Sequence, residues 1–191
     1  MNYMEIKKYD IANGPGVRTS LFVAGCTHHC KGCFNPESWD FNAGKEFTDE
    51  TIDEIIESLS PDYIKGLTLL GGEPFEPGNQ AALLPLVKKV KSIYPNKSIW
   101  AFSGYLFDKQ IMDVMAKKYD FTKEFISYID VLVDGEFKEE EKDLSIIFRG
   151  SRNQRIIDVK ESLKQERLVL HEKDAVRLGE YKKWVKLEVL K

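Results

Sequence analysis

Residues 17–33 read VRTSLFVAGCTHHCKGC, a β-branched, apolar run that ends at Gly25 and opens into a loop holding every cysteine of the chain, Cys26, Cys30 and Cys33. The first half predicts a strand and the second a loop, so the thiols sit where a strand ends. Their spacing is CxxxCxxC. Thiolates are soft ligands suited to iron-sulfur clusters or zinc, and one short segment carrying three of them can wrap a metal centre. A four-iron cluster needs four ligands. Three protein thiolates leave one iron open to an exogenous group, whereas an electron carrier normally closes its cluster with a fourth cysteine. An open iron points to chemistry at the metal. On spacing alone, zinc held by the three cysteines and one of His28, His29 or His171 stays open as the alternative. A disulfide framework does not suit an odd count, and residues 1–10 carry no apolar signal core, so the expected location is cytoplasmic.

Outward from this stretch, the chain alternates strands and helices. Thr48 is placed to cap a helix reaching Leu59, with Ile52, Ile55, Ile56 and Leu59 at helical spacing and Ser60-Pro61 ending it. Residues 66–70 (GLTLL) read as a short buried strand. A helix over 79–93 turns Leu83, Leu86, Val87 and Val90 to the core, with Pro85 in its first turns. Strands follow at 98–102 (SIWAF) and 129–133 (IDVLV), separated by a helix over 107–118, and a further strand is expected at 144–148. This order predicts an α/β fold with a mostly parallel sheet covered by helices.

Composition fits one domain. The 191 residues are 42% hydrophobic, enough for a core, and a net charge of −3 argues against an electrostatic nucleic-acid binder. No apolar run approaches a membrane span. The acid-rich run 136–143 reads as a solvated turn.

In parallel α/β folds ligands gather beyond the carboxyl ends of the strands. Here those ends read Gly25-Cys26, Gly71-Gly72-Glu73-Pro74, Ser103-Gly104-Tyr105 and Asp134-Gly135. Glycines let backbone amides and carbonyls approach a ligand, and Glu73 or Asp134 could bind its amino or hydroxyl groups. A single such glycine would mean only a turn. Four such ends, one carrying three thiolates, point to a shared site.

The segments NGPGVR (13–18), GCTHHCKGCFNP (25–36), GGEP (71–74), FSGY (102–105), DVLVDGEF (130–137) and RGSRNQRIIDV (149–159) occur in an order that resembles the anaerobic ribonucleoside-triphosphate reductase-activating proteins, small radical S-adenosylmethionine enzymes. The resemblance covers residues 1–159, the expected radical S-adenosylmethionine domain, and leaves 160–191 as an extension that includes Leu163, Leu168, Trp184 and Leu187. It implies an incomplete α/β barrel whose open side the reductase partner covers. It further implies that Cys26, Cys30 and Cys33 hold three irons of a four-iron four-sulfur (4Fe-4S) cluster while S-adenosyl-L-methionine chelates the fourth. An electron from a low-potential donor then cleaves the sulfonium, and the 5′-deoxyadenosyl radical takes hydrogen from a glycine of the partner. Gly32, Cys33 and Phe34 are expected to pass the adenine, Gly71, Gly72 and Glu73 to meet the methionine amino group, and Ser103 to bond a ribose or carboxylate. Many radical S-adenosylmethionine proteins carry an aromatic residue just before the third cysteine; Gly32 stands there in this chain, as in the reductase activators.

Several roles stay divided. Phe34 could be a core residue, Ser103 a hydroxyl satisfied by a turn, and Arg18 a partner of a local acid instead of a contact for peptide or cofactor. Asp134 and Gly135 line the site or build a turn. Arg149, Ser151, Asn153 and Gln154 serve docking or order the late edge of the chain. His28 and His29 are expected in solvent without a task. An activase for another glycyl radical enzyme, such as pyruvate formate-lyase, is the alternative enzyme; an iron-sulfur carrier or a zinc module is the non-enzymatic one.

Overall fold

The computed structural model describes residues 1–177 and 179–181. Among these residues seven strands form one open sheet in the order β3-β1-β2-β4-β5-β6-β7. They span Asn2–Asp10 (β1), Val17–Val23 (β2), Lys45–Glu46 (β3), Ile64–Gly71 (β4), Ser98–Ser103 (β5), Val131–Asp134 (β6) and Arg155–Asp158 (β7). The central four, β2, β4, β5 and β6, are parallel, with Leu21 opposite Leu69, Leu69 opposite Ala101 and Ala101 opposite Leu132. Antiparallel pairing closes both flanks, β1 against β2 and β3 on one side, β7 against β6 on the other. The expected mostly parallel centre is present, and among the described residues the sheet does not close on itself.

Helices connect the parallel strands, as parallel pairing demands a crossover. They are α1 (Asp49–Ser58), α2 (Pro77–Ile93), a wide-turn π-helical segment Phe107–Met115 running into α3 (Ala116–Lys118), α4 (Asp120–Tyr128) and, after β7, α5 (Val159–Gln165). Thr48 precedes α1 as expected, and its amide donates to Thr51 Oγ1 at 3.2 Å. Pro85 does not lie in the first turn: α2 begins at Pro77, which leaves Pro85 inside the helix. Side chains alternate across a strand, and the two faces of this sheet have different fates. Leu21, Leu67, Leu69, Ile99, Ala101 and Leu132 join Ile55, Leu83, Leu86, Val90, Ile111 and Phe125 of the helices in one buried core. Trp100, Val131, Val133 and Ile156 form a small cluster on the other side, packed by Phe102 and Phe148. The cavity opens on that second face, where Trp100 also meets His171 and Phe148 meets Tyr181.

One expected strand needs correction. Residues 144–148 are not a strand: Ile146 makes one isolated bridge to Arg177, Ile146 and Ile147 are buried, and Leu144 is 80% exposed. A short apolar run can anchor an irregular loop as well as a strand. Four elements had no counterpart in the sequence reading, namely β1, β3, β7 and α4. Residues 160–177 brace the β7 edge, through the bridge from Ile157 to Leu170 and the ion pair of Arg149 with Asp174 at 2.9 Å. Trp184 and Leu187 lie outside the described residues. No described helix is long and apolar enough to cross a membrane.

Candidate metal and cofactor site

Cys26, Cys30 and Cys33 line one cavity of about 510 Å³ with Gly32, Phe34, Gly71, Gly72, Glu73 and Ser103, the carboxyl ends of β2, β4 and β5 meeting as a parallel sheet places them. That volume suits a small-molecule ligand. Gly135, beyond β6, completes the same wall.

The cysteine loop is fixed from several directions. The Gly25 amide donates to Ser38 O at 2.8 Å and the Cys26 amide to Trp39 O at 3.1 Å. Asn79 Nδ2 donates to Ala24 O and Glu73 O, both at 2.9 Å, tying the ends of β2 and β4 together. Buried Glu76 accepts from the Thr27 amide at 2.9 Å and from Thr27 Oγ1 at 2.5 Å. Burial pushes the Cys26 thiol up to about 11, against the amides of His28 and His29, which favour the thiolate. Burial raises Cys30 as well, and the Phe137 amide opposes it. The Asn35 amide donates to Cys33 Sγ at 3.4 Å. Metal ligation needs thiolates, so loading this site releases protons. Among the described residues no three His, Cys, Asp or Glu side chains are drawn together at metal-ligating distance. A cluster that gives each thiolate its own iron does not require them to converge on one point.

Gly71 and Gly72 are required here for backbone reasons. Gly71 has φ 106°, and a Cβ there would lie 2.9 Å from the backbone of Phe22. A Cβ on Gly72 would lie 2.6 Å from Gly25 O, so the missing side chain admits the cysteine loop itself. Glu73 is 1% exposed, and its carboxylate is engaged by the protein: Oε1 accepts from the Phe75 amide and Oε2 from the Gly104 amide, each at 2.7 Å. Ser103 Oγ accepts from the Tyr105 amide at 3.0 Å, a local turn that leaves its hydroxyl proton free to donate. Phe34 is 95% exposed at the rim, which excludes the core reading.

His28 differs from expectation. Its side chain is 7% exposed, with Nε2 3.2 Å from Glu73 Oε2 and Nδ1 3.1 Å from Glu136 Oε1. The Glu73 approach is a charge contact without good hydrogen-bond alignment. Burial works against the charged ring, but Glu73 and Glu136 outweigh it and hold the pKa above its ordinary value. His29 remains exposed and stacks on Trp39 with ring centroids 4.6 Å apart.

A family model described as a 4Fe-4S single cluster domain matches residues 12–157. The anaerobic ribonucleoside-triphosphate reductase-activating protein of Haemophilus influenzae is 46% identical over 156 residues, 81% of this chain and 96% of the relative. The protein of the same name from Pasteurella multocida is 44% identical over 156 residues, 81% and 95% of the two chains. The chain belongs to the anaerobic ribonucleoside-triphosphate reductase-activating protein family. A phage T4 protein of that name is 42% identical over 160 residues, 82% of this chain and 93% of its own.

Within this family member, other residues singled out in the sequence lie away from the cavity or serve its frame. Arg18 is fully buried and spends its guanidinium on Thr68 Oγ1 (2.7 Å), Ser98 Oγ (3.0 Å), Leu67 O (2.8 Å) and Ser98 O (2.9 Å). It ties β2, β4 and β5 together and, among the described residues, forms no ion pair with an acid. Asp134, also fully buried, accepts from the Phe107 amide at 2.7 Å and from Arg155. The late polar residues order residues 135–154: Gln154 Nε2 donates to Gly135 O at 2.9 Å, Asn153 Nδ2 to Glu136 O at 2.8 Å, and Ser151 Oγ accepts from the Lys138 amide at 3.2 Å. Sequence reasoning missed Glu76 and Asn79, although both follow the GGEP segment closely at the start of α2. It also missed Glu136, whose role depends on a contact across 108 residues.

Proposed function

We propose that this protein activates anaerobic ribonucleoside-triphosphate reductase as a radical S-adenosylmethionine enzyme. The observation that carries the reading is the single cavity in which three thiols meet the glycine-rich ends of β4 and β5. The site fits a cluster with an open iron: its donors are three thiols, and glycine backbone lines the wall beside them. Cys26, Cys30 and Cys33 would hold three irons of a 4Fe-4S cluster, with the fourth left to the amino and carboxylate groups of S-adenosyl-L-methionine. When bound, the reduced cluster would supply the one electron needed to break the S–C5′ bond of S-adenosyl-L-methionine, releasing methionine and a 5′-deoxyadenosyl radical able to take hydrogen from a glycine of the reductase.

The chain's own residues position and shield this chemistry. Gly71 and Gly72 offer unshielded backbone to the methionine end, while the Glu73 side chain holds the β4 and β5 ends in register. Gly32 and Cys33 present backbone to the adenine, Phe34 an apolar face, and Ser103 its free hydroxyl proton. The face of the sheet that bears the cavity acts as the inner wall of an incomplete barrel, and the reductase covers its open side against water. The catalytic unit is residues 1–159, with 160–191 an extension whose residues 160–177 brace it. The electron comes from a separate low-potential donor in the cytoplasm.

The test is anaerobic incubation of the reconstituted protein with reductant, S-adenosylmethionine and the reductase, read by electron paramagnetic resonance. A glycyl radical on the reductase is expected; a radical on pyruvate formate-lyase alone would favour the alternative activase. Cys30→Ala is expected to lose 5′-deoxyadenosine production at least 100-fold while staying folded, because one cluster ligand is gone. Wild-type turnover by that variant would remove the cluster assignment.

A further inference from the structure

His28 sits inside the cysteine loop, yet its ring points away from solvent into a contact between two other elements. On one side is Glu73, whose carboxylate already joins the ends of β4 and β5. On the other is Glu136, on the segment that follows β6. Tyr105 packs edge-on against the ring at 4.3 Å between centroids. Glu136 is itself anchored, since its carbonyl accepts from Asn153, and its neighbour Phe137 lines the cavity with Cys30, its ring 3.4 Å from where a Cβ on Gly32 would lie. A Cβ on Gly104 would come 2.5 Å from the His28 ring, so the FSGY strand end is also shaped around this imidazole.

We propose that His28 is a positioning residue that clamps the cysteine loop between Glu73 of the β4 end and Glu136 of the β6–β7 segment. The clamp holds the 136–139 segment against Lys31 and Gly32 and so fixes Cys30 relative to the other two thiols. The imidazole suits the task because its two nitrogens lie on different edges of a rigid ring and can face two carboxylates at once. This inference rests on the functional reading only in naming what the thiols hold; the clamp belongs to the protein alone. It also gives the acid-rich run 136–143 a purpose beyond solvation, because Lys31 of the loop pairs with Glu139 at 3.0 Å in the same interface.

The test uses the full-length chain with His28→Ala, His28→Gln and Glu136→Ala. Glu136 is 54% exposed on its side chain, so its removal leaves the core untouched. Iodoacetamide alkylation of each cysteine in the metal-free chain is followed by mass spectrometry, and iron loss to a chelator is followed in the reconstituted chain. His28→Ala and Glu136→Ala are expected to speed alkylation of Cys30 about fivefold, as local opening exposes it, with Cys26 still protected. Iron loss should rise in the same variants, and His28→Gln, which keeps two polar ends, should restore much of both. Unchanged Cys30 alkylation in both alanine variants overturns the clamp, and equal acceleration at Cys26 overturns it too, because that is the mark of general unfolding. Failure of the wild-type chain to take up iron would overturn the functional reading instead, while the alkylation arm still decides the clamp.

Discussion

At Gly72 the space a Cβ would fill lies 2.6 Å from Gly25 O, while the Gly72 amide donates to Val23 O at 2.8 Å and the Glu73 amide to Gly25 O at 2.8 Å. The β4 end and the cysteine loop are therefore one packed unit. Gly72→Val should lower stability by about 1–3 kcal/mol through overpacking and should also reduce iron uptake, because the clash moves the loop that carries the thiols. Gly78→Ala, with nothing within 4 Å of its Cβ, is the matched control and should load iron normally. Full iron content in Gly72→Val would show that the loop yields without harm. The cysteines and glycines of the site were legible because each carries its chemistry in its own identity and lies just past an apolar run. His28, Glu76 and Glu136 were not, because a histidine or glutamate becomes part of a site only through partners that the fold brings close.

Among the elements, β6 and β7 are joined by more than their ladder. Arg155 on β7 donates to Asp134 at the end of β6 and to Asp108 at 2.8 Å in the π-helical segment. Asp134 is fully buried, so Arg155→Leu strands a carboxylate and should cost about 3 kcal/mol near neutral pH. Burial raises the Asp108 carboxyl, but the Arg155 hydrogen bond and charge outweigh it and leave the pKa below its ordinary value of 3.8. A depressed carboxylate stabilises the folded state above its unfolded pKa and loses that contribution as pH falls through the folded one. The gap between wild type and Arg155→Leu should accordingly narrow below pH 3.8 in urea melts at stepped pH. A gap independent of pH would mean that lost packing, not charge, drives the effect. The parallel strands β2, β4, β5 and β6 were readable because burial on both faces makes continuous apolar runs. β1 was not, since NYMEIKKYD is half exposed and carries charge on a flank whose outer neighbour, β3, has two residues. β7 has four residues and gains its strand character from β6. The run 144–148 failed in the opposite sense, its apolar residues serving to anchor a loop.

Across the whole molecule, the sheet divides the protein into a side covered by α1 to α5 and an opposite side that holds the site. Every helix from α1 to α5 places residues in or against the main core or covers its edges, whereas the opposite face is lined by Leu70, Phe102 and Phe148 around the cavity. This asymmetry leaves the thiols reachable from one direction, with Phe34 at 95% and Leu144 at 80% exposure on the rim. A partner that seats on this rim would dry the cavity, which suits a reactive radical that water-exposed groups would quench. The most direct test is production of 5′-deoxyadenosine by the anaerobically reconstituted protein given S-adenosylmethionine and a strong reductant. The account predicts product that appears only with reductant and disappears in Cys30→Ala; no product from protein carrying its full iron and sulfide, with the reductase present, would contradict it.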